Sequence, residues 1–444
     1  MNNCILCALD EVNHFEWRNA AQEHGTHNHQ HLSNYRKIVL EKFSQLQPVS
    51  SCPVHKNLDP VSITFWESSK KHVNYGEIAK VFFDKIEQIY NLWNQGDVTK
   101  ATIELNSLFD EMKSSGSDKV EYSNLPLFMF RERTDGETSR DGLWHIPFED
   151  RYKVKNYRFS ISGRPMLYLG SSVVDIVYEM RQENCADNTK HMVSTFIRKK
   201  DLDIFDLTNE MPLYVHAIWG IVQGGGNIEF DDPRYNLINK FPILIKKLLL
   251  MSCCSFKTMH EGATFHEEYI IPQLLTEVLQ KKGYDGIRYS STRMNPNLFN
   301  KASDFFWHEN YFRENYVLFT KYTDLSKHDS KLKEVFDNST PVSLSSTSID
   351  ENVINRFNIL KKEINDFINS NGFISGLPQN ILQPSLISYS LRIEGLKYNE
   401  EFYYKTKYGT FELNSIIDAY KEYIKSLSIT IPQYQSLYNK ICAI

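Results

Sequence analysis

The sequence lacks the short signatures that most directly assign an enzyme. No G-x-G-x-x-G follows a strand pattern, no G-x-x-x-x-G-K-[ST] occurs, and neither His260-Glu261 nor His266-Glu267 is completed as H-E-x-x-H. Dinucleotide-fold dehydrogenases, P-loop nucleotidases and zincin proteases are thereby set aside. There is no apolar run of about 18 residues. The first residues, MNNCILCALDEVNHFEW, have neither the charged start nor the long apolar stretch of a secretory signal, so a cytoplasmic, non-membrane protein is expected. Basic excess is also missing: 50 Lys and Arg stand against 55 Asp and Glu, a net charge of -5, which argues against nucleic acid as the main partner. No internal repeat of solenoid length is found. The seven cysteines are odd in number and irregularly spaced, which excludes an orderly disulfide framework and points to reduced thiols or metal ligands.

What is present is a chain of 444 residues, 41% hydrophobic, too long for one ordinary core; two or three domains are expected. Residues 1–60 hold Cys4-x-x-Cys7, five histidines between His14 and His31, and Cys52-x-x-His55, a candidate metal-binding head. Cys4, Cys7, Cys52 and His55 supply the three thiolates and one imidazole that a tetrahedral structural zinc accepts. The histidines at 24, 27, 29 and 31 read as a polar loop. Within 61–120, Ile78, Phe82, Ile86, Ile89 and Trp93 recur at helical spacing, as do Ala101, Leu105, Leu108 and Met112 after Asn94-Gln95-Gly96-Asp97, which predicts a helical hairpin. KSSGSDK at 113–119 reads as a linker.

From about Leu125 short aromatic and β-branched runs (LPLFMFRER, RPMLYLG, VSTFIRK, LDIFDL) alternate with helical stretches, predicting α+β structure over 121–325. A long apolar helix is expected from Leu237 to Met251. EYIIP reads as extended, followed by helix QLLTEVLQKK stopped at Gly283, and YDGIRYSS as a strand leading to a polar site. Gly224-Gly225-Gly226 reads as a flexible loop. Residues 326–350, rich in Ser, Asp, Lys and Thr, read as a linker, and 351–444 as a mainly helical C-terminal region with an ambiguous SYSLRIEGLKY stretch.

The most informative segment is RYKVKNYRFSISGRPMLYLGSSVVDIVYEM, residues 151–180. Met166 to Leu169 read as a buried strand, Gly170-Ser171-Ser172 as a turn with a helix cap, and Val173 to Met180 as a helix. Arg158, Tyr168 and Glu179 interrupt this pattern. A cation, an aromatic face and a carboxylate from consecutive elements suit a ligand with phosphates and a cationic ring.

The stretch from Leu125 to Tyr322, a little under half of the chain, resembles the RES domain family, bacterial proteins with an ADP-ribosyltransferase-like fold that include NAD-acting toxins of toxin-antitoxin pairs. The resemblance rests on Arg131 in LFMFRER, Arg158 in NYRFSISGRP, Tyr168 in PMLYLGSS, Glu179 in VDIVYEM, and Ser291 in YDGIRYSSTR downstream of FHEEYIIPQLL. Arginine, glutamate and serine give the family its name. Two departures stand out: Tyr157 replaces the usual glycine before the turn arginine, and Tyr289-Ser290-Ser291 replaces Tyr-Pro-Ser. Ser290 is therefore an alternative to Ser291, and the neighbouring Arg133 an alternative to Arg131.

The resemblance implies that NAD is the substrate, with the nicotinamide-ribose bond cleaved to water or phosphate, or with ADP-ribose transferred to a protein; a non-catalytic nucleotide sensor is the rival. It also implies an antitoxin or regulatory partner. Expulsion of neutral nicotinamide from a cationic ring needs no general acid, unlike ordinary glycoside hydrolysis with its two carboxylates. One carboxylate, Glu179, suffices to stabilise charge on the ribose or orient a nucleophile. Arg131 and Arg158 would hold the pyrophosphate, and Tyr168 would face the nicotinamide for about 0.5 to 2 kcal/mol. Ser291 would bond the ligand or hold Glu179. Arg18 followed by His24 has the spacing of the R-x(4-6)-H motif of HEPN ribonucleases, but only 17 residues precede it, whereas those enzymes place it late in a helical bundle.

Overall fold

The computed structural model describes residues 4–112, 128–180, 190–208, 237–260, 262–294, 313–322, 326–344, 348–371 and 406–444. It is an α+β protein with helical N- and C-terminal regions. In chain order the elements begin with α1 (Ile5–Ala8), α2 (Glu11–Glu23), α3 (Asn28–Ser44), α4 (Pro60–His72), α5 (Tyr75–Asn94) and α6 (Val98–Met112). Then come β1 (Phe128–Arg133), β2 (Met166–Gly170), α7 (Val173–Glu179), β3 (Met192–Arg198) and β4 (Ile204–Leu207). They continue with α8 (Leu237–Cys253), α9 (Ile270–Lys281), β5 (Gly286–Ser290), β6 (Glu314–Phe319), α10 (Ser330–Val335), β7 (Phe336–Asn338) and β8 (Val342–Ser343). Helices α11 (Val353–Asn371), α12 (Lys407–Thr430) and α13 (Gln433–Ile441) complete the described elements.

Two compact units result, and each is built from separated pieces of chain. The first comprises Met1–Lys119, Lys155–Arg164 and Ile204–Asn297; the second comprises Val120–Val154, Pro165–Asp203 and Leu298–Ile444. The boundaries thus do not follow the blocks read from composition. The cysteine-bearing head and the hairpin share one body with 204–297, because their apolar faces need partners that neither possesses alone.

In the first unit the α5–α6 hairpin forms as its periodicity dictates. The Asn74 side chain caps α5 by accepting from the Glu77 N–H at 3.1 Å. Gly96 takes φ +85° between the two helices, a conformation that costs glycine little. The buried stripe of Phe82, Phe83, Ile86, Ile89, Leu105, Leu108 and Phe109 meets α8 and α9. Phe109 lies 5.1 Å from the Phe205 ring, so the hairpin also covers the parallel pair β4–β5, registered Ile204↔Gly286 through Leu207↔Tyr289. Tyr35 of α3, fully buried, packs edge-on against Phe83 at 5.7 Å and Phe256 at 5.8 Å. The segment EYIIP is not extended. Glu267–Tyr269 is a 3-10 turn running into α9, and Pro272, in the first helical turn, lacks an N–H that would have had no partner there anyway. Gly283, with φ +84°, ends the helix. The histidine-rich stretch is likewise less of a loop than its polarity suggests. His29 and His31 lie on α3, and buried His31 reaches the Gly25 carbonyl at 3.1 Å.

The second unit is an antiparallel sheet ordered β6-β2-β1-β3-β7, with β8 also on β3. Pairing is extensive between β1 and β3, from Phe128↔Ile197 to Arg133↔Met192, and between β2 and β6, from Met166↔Phe319 to Gly170↔Asn315. Between β1 and β2 only Phe130↔Gly170 is in register. The sheet therefore has a seam at its middle. Helices α11, α12 and α13 pack on one another, and Tyr420 of α12 meets Phe128 of β1 at 4.6 Å, sealing the core beneath the seam. Residues 326–350, read as a linker, instead carry α10, β7 and β8. Their polar composition is that of an exposed edge, while Leu332, Val335 and Phe336 are buried. The runs 113–119 and 388–398 and the glycines 224–226 lie outside the described residues.

Two buried imidazoles must stay neutral for this packing. His14 Nδ1 is 2.5 Å from the Tyr35 hydroxyl and its Nε2 2.9 Å from the Ala8 carbonyl. His145 Nδ1 is 2.8 Å from the Ile146 carbonyl, and its Nε2 accepts from the Asp329 N–H at 2.9 Å, an acceptor role that an imidazolium cannot fill. Burial lowers His14 to about 3 and His145 to about 4. Both folded values lie below the unfolded one, so the unfolded chain binds more protons once pH drops under 6.5. Stability is thus complete above that pH and is lost as pH falls, by about 1.4 kcal/mol per pH unit per group. Denaturant titrations between neutral pH and pH 4.5 should show this decline. His145→Gln, which keeps an acceptor that does not titrate, should flatten its share of the slope.

Candidate functional site

The second unit places Tyr168 and Glu179 on one side of its sheet, while Arg131, whose neighbour Phe130 is the residue paired with Gly170, belongs to the other face of β1. Tyr168 is a half-buried member of β2 paired with Val317, and Gly170 pairs with Asn315. Because alternate residues share a face, Tyr168 and Asn315 project from the same side of the sheet. Helix α7 lies over that side. The turn into it is very tight: a Cβ on Gly170 would lie 2.5 Å from the Ile176 Cγ2. Ser172 caps α7 by accepting from the Asp175 N–H at 3.1 Å, and Glu412 of α12 accepts from the Val173 N–H at 2.9 Å. A capping hydroxyl and a carboxylate on the first turn suit the positive end of the helix.

Glu179 then emerges half-buried at the other end of α7. Its Oε1 accepts from the Asn315 amide at 3.2 Å, while the same amide lies 3.4 Å from the Asp175 Oδ1. Asp175 and Glu179 are one turn apart on a single face. Asn315 thus holds two carboxylates in place. Neither Asp175 nor Asn315 was singled out from sequence. Asp175 is detectable in principle as the i−4 neighbour of Glu179, but Asn315 becomes visible only once β6 is registered on β2.

Arg131 is at the seam, with its Nη1 3.4 Å from the Tyr168 carbonyl. The alternative Arg133 is committed elsewhere: it pairs with Asp135 and donates to the Gly142 carbonyl at 2.8 Å, fastening a loop. Between them Glu132 is buried, with Oε1 2.5 Å from His191 Nδ1, and burial pushes its carboxyl up to about 8. Local sequence does not mark this pair, because Glu132 and His191 meet only once β1 is registered on β3.

The first unit places Arg158 and Ser291. Gln273 and Thr276 of α9 hold the Asn156–Ser160 turn through the carbonyls of Tyr157 (2.9 Å) and Phe159 (3.1 Å). Arg158 leaves that turn to donate to the Cys254 carbonyl at 2.7 Å and to the Thr292 hydroxyl at 3.3 Å, and lies 5.2 Å from the Tyr269 ring. Ser291 follows β5, buried, and accepts from the N–H groups of Arg293 and Met294 at 3.3 Å each, a turn-capping role. Ser290 is the last residue of β5. Thr292, rather than either serine, is what Arg158 touches.

The other proposed constellations separate cleanly. Cys4, Cys7, Cys52 and His55 converge, with all four ligand atoms within 4.8 Å of one another. The Cys4 and Cys7 sulfurs are 3.7 Å apart, and the hydrogen bond between them lowers Cys4 to about 4 and drives Cys7 upward. Arg18 and His24 do not converge: Arg18 is buried and donates to the Ser252 hydroxyl at 3.1 Å, while His24 is the exposed cap residue ending α2.

Gly170→Ala should destabilise the second unit by about 1 to 3 kcal/mol, the range for overpacking a tight core, because its methyl group meets a stiff β-branched side chain. Adding Ile176→Ala should restore part of that loss. Chemical denaturation of the two single variants and the double variant measures the coupling.

No family model matches the chain, and no solved structure matches it. Among curated proteins it is similar to one from Bacillus subtilis (strain 168) named "Putative toxin YopC", at 29% identity over 294 residues covering 62% of this chain. The chain spans 61% of that relative's length.

Proposed function

We propose that this chain is a toxin that consumes NAD by cleaving the bond between nicotinamide and ribose. The observation that carries this reading is the carboxylate at the end of α7. Glu179 is accessible, oriented by the Asn315 amide at 3.2 Å, and set on the same sheet face as the half-buried Tyr168. Similarity to a protein named as a toxin supports the biological role, and the resemblance of the central region to the RES family supports the choice of NAD.

The chemistry asks little of acid catalysis. Nicotinamide departs as a neutral ring, taking both electrons of the glycosidic bond, and positive charge builds on the ribose. Glu179 would stabilise that charge and orient the acceptor. Water attacking the anomeric carbon loses a proton and yields ADP-ribose; inorganic phosphate yields the 1-phosphate. Asp175 keeps the Asn315 amide turned toward Glu179, and Tyr168 offers its ring to the cationic nicotinamide, an attraction of about 0.5 to 2 kcal/mol. Arg131, whose guanidinium reaches the Tyr168 carbonyl at the seam, is the forked donor suited to pyrophosphate oxygens. A toxin of this kind needs an antitoxin protein in the cell that makes it.

Incubating the full chain with NAD, with and without inorganic phosphate, should release free nicotinamide with at least one acceptor. Glu179→Gln should lower turnover by about 100-fold or more. Expression should arrest growth, and the same substitution should relieve the arrest. Turnover that survives Glu179→Ala would sink the mechanism. Labelled ADP-ribose appearing on protein would assign a transferase instead, and tight NAD binding without release a sensor.

A further inference from the structure

We infer that Cys4, Cys7, Cys52 and His55 bind one zinc ion in a closed, structural site that ties the 4–8 turn to the 52–55 turn. The inference is independent of the NAD chemistry, whose residues lie elsewhere.

Five of the six donor-to-donor distances match those around a tetrahedral ion, and the sixth, Cys4 to Cys52, is within 4.8 Å. Bonds of about 2.3 Å to sulfur and 2.0 Å to nitrogen place sulfurs about 3.8 Å apart and sulfur and nitrogen about 3.5 Å apart. The Cys4–Cys7 and Cys7–Cys52 sulfur pairs are 3.7 and 3.6 Å apart. His55 Nδ1 lies 3.3, 3.4 and 3.6 Å from the sulfurs of Cys4, Cys7 and Cys52. Two thiols in an ordinary apolar core have no reason to aim at a common imidazole nitrogen. Four atoms this close surround one ion and leave no room for a two-iron cluster. Thiolate and imidazole donors in a tetrahedron select zinc over the oxygen-seeking cations.

The frame around the donors is already fixed. The Ala8 N–H bonds the Cys4 carbonyl at 2.9 Å and the His55 N–H bonds the Cys52 carbonyl at 3.2 Å, so each C-x-x-C/H half-site is a preformed turn. Asn13 of α2 holds the Cys7 carbonyl at 2.8 Å. Cys4 bridges Gln47 in parallel, and the Lys70 ammonium binds the Leu46 and Gln47 carbonyls at 3.1 and 2.9 Å. That ammonium sits near a site whose three thiolates would leave a zinc ion with net negative charge. All three cysteines are buried and four donors fill the tetrahedron, so no position stays open for water or substrate. The metal is a fastener between segments 44 residues apart (8–51), not a catalyst.

The full chain, purified without chelator, should carry a single equivalent of zinc by elemental analysis. Cobalt substitution should give the intense visible bands of tetrahedral thiolate ligation. Cys4→Ser should lose most of the zinc and lower the thermal midpoint, whereas His55→Cys, which keeps four soft donors, should retain it. Should Cys4→Ser prove insoluble, stripping wild-type protein with a strong chelator should release zinc and lower the midpoint, and added zinc should restore both. Metal-free protein whose stability ignores added zinc, stoichiometric iron or copper in its place, or zinc retained undiminished in Cys4→Ser would each overturn the assignment.

Discussion

Strand β2 becomes helix α7 in two residues, and the missing side chain at Gly170 is what permits it. With no Cβ there, Ile176 settles directly onto the strand end, Ser172 caps the helix and Glu412 of α12 accepts its first N–H. The direction of α7 follows from this contact. So does the position of Glu179, two helical turns on, and of Asp175 between them. A bulkier residue at 170 would leave the sequence of α7 intact and still aim its carboxylate wrongly.

The seam is the second constraint. Strands β1 and β2 share one registered pair, while each is fully bonded to its outer neighbour, β3 and β6. Backbone groups at a seam are not consumed by a ladder, so a side chain can use them, and Arg131 reaches the Tyr168 carbonyl there. The guanidinium, the Tyr168 ring and the Glu179 carboxylate are thereby each carried by a strand or a short helix rather than by a loop.

Much of this was legible in the residues. Periodicity found the α5–α6 hairpin, the apolar helix α8 and the strand-turn-helix around Gly170, because each is a local pattern that reads the same in any context. The cysteine spacing foretold a cluster that the fold assembles. Other features misled for physical reasons. The Ser- and Lys-rich stretch 326–350 looks like a linker, yet forms α10 and two edge strands, since an edge needs only a few buried residues such as Leu332 and Phe336. EYIIP looks extended because Ile and Tyr favour strands, but its first two residues lie in a 3-10 turn and its proline takes a permitted position in the first turn of α9. Arg18 and His24 match a ribonuclease spacing, yet one is buried and the other exposed.

Residue types and local spacing are enough to predict the α+β class, the helical flanks and the grouping of Cys4, Cys7, Cys52 and His55, and to single out Arg158, Tyr168 and Glu179, while Arg131 and Ser291 come from the resemblance to the RES family. Which partners those side chains acquire was decided by folding alone. Asn315 meets Glu179 across 136 positions and Arg158 meets Thr292 across 134. Ser291 is turned to capping its own turn. Contacts of that range depend on strand register and on which helix covers which face, quantities fixed by burial over the whole core, and no local stretch of sequence contains them.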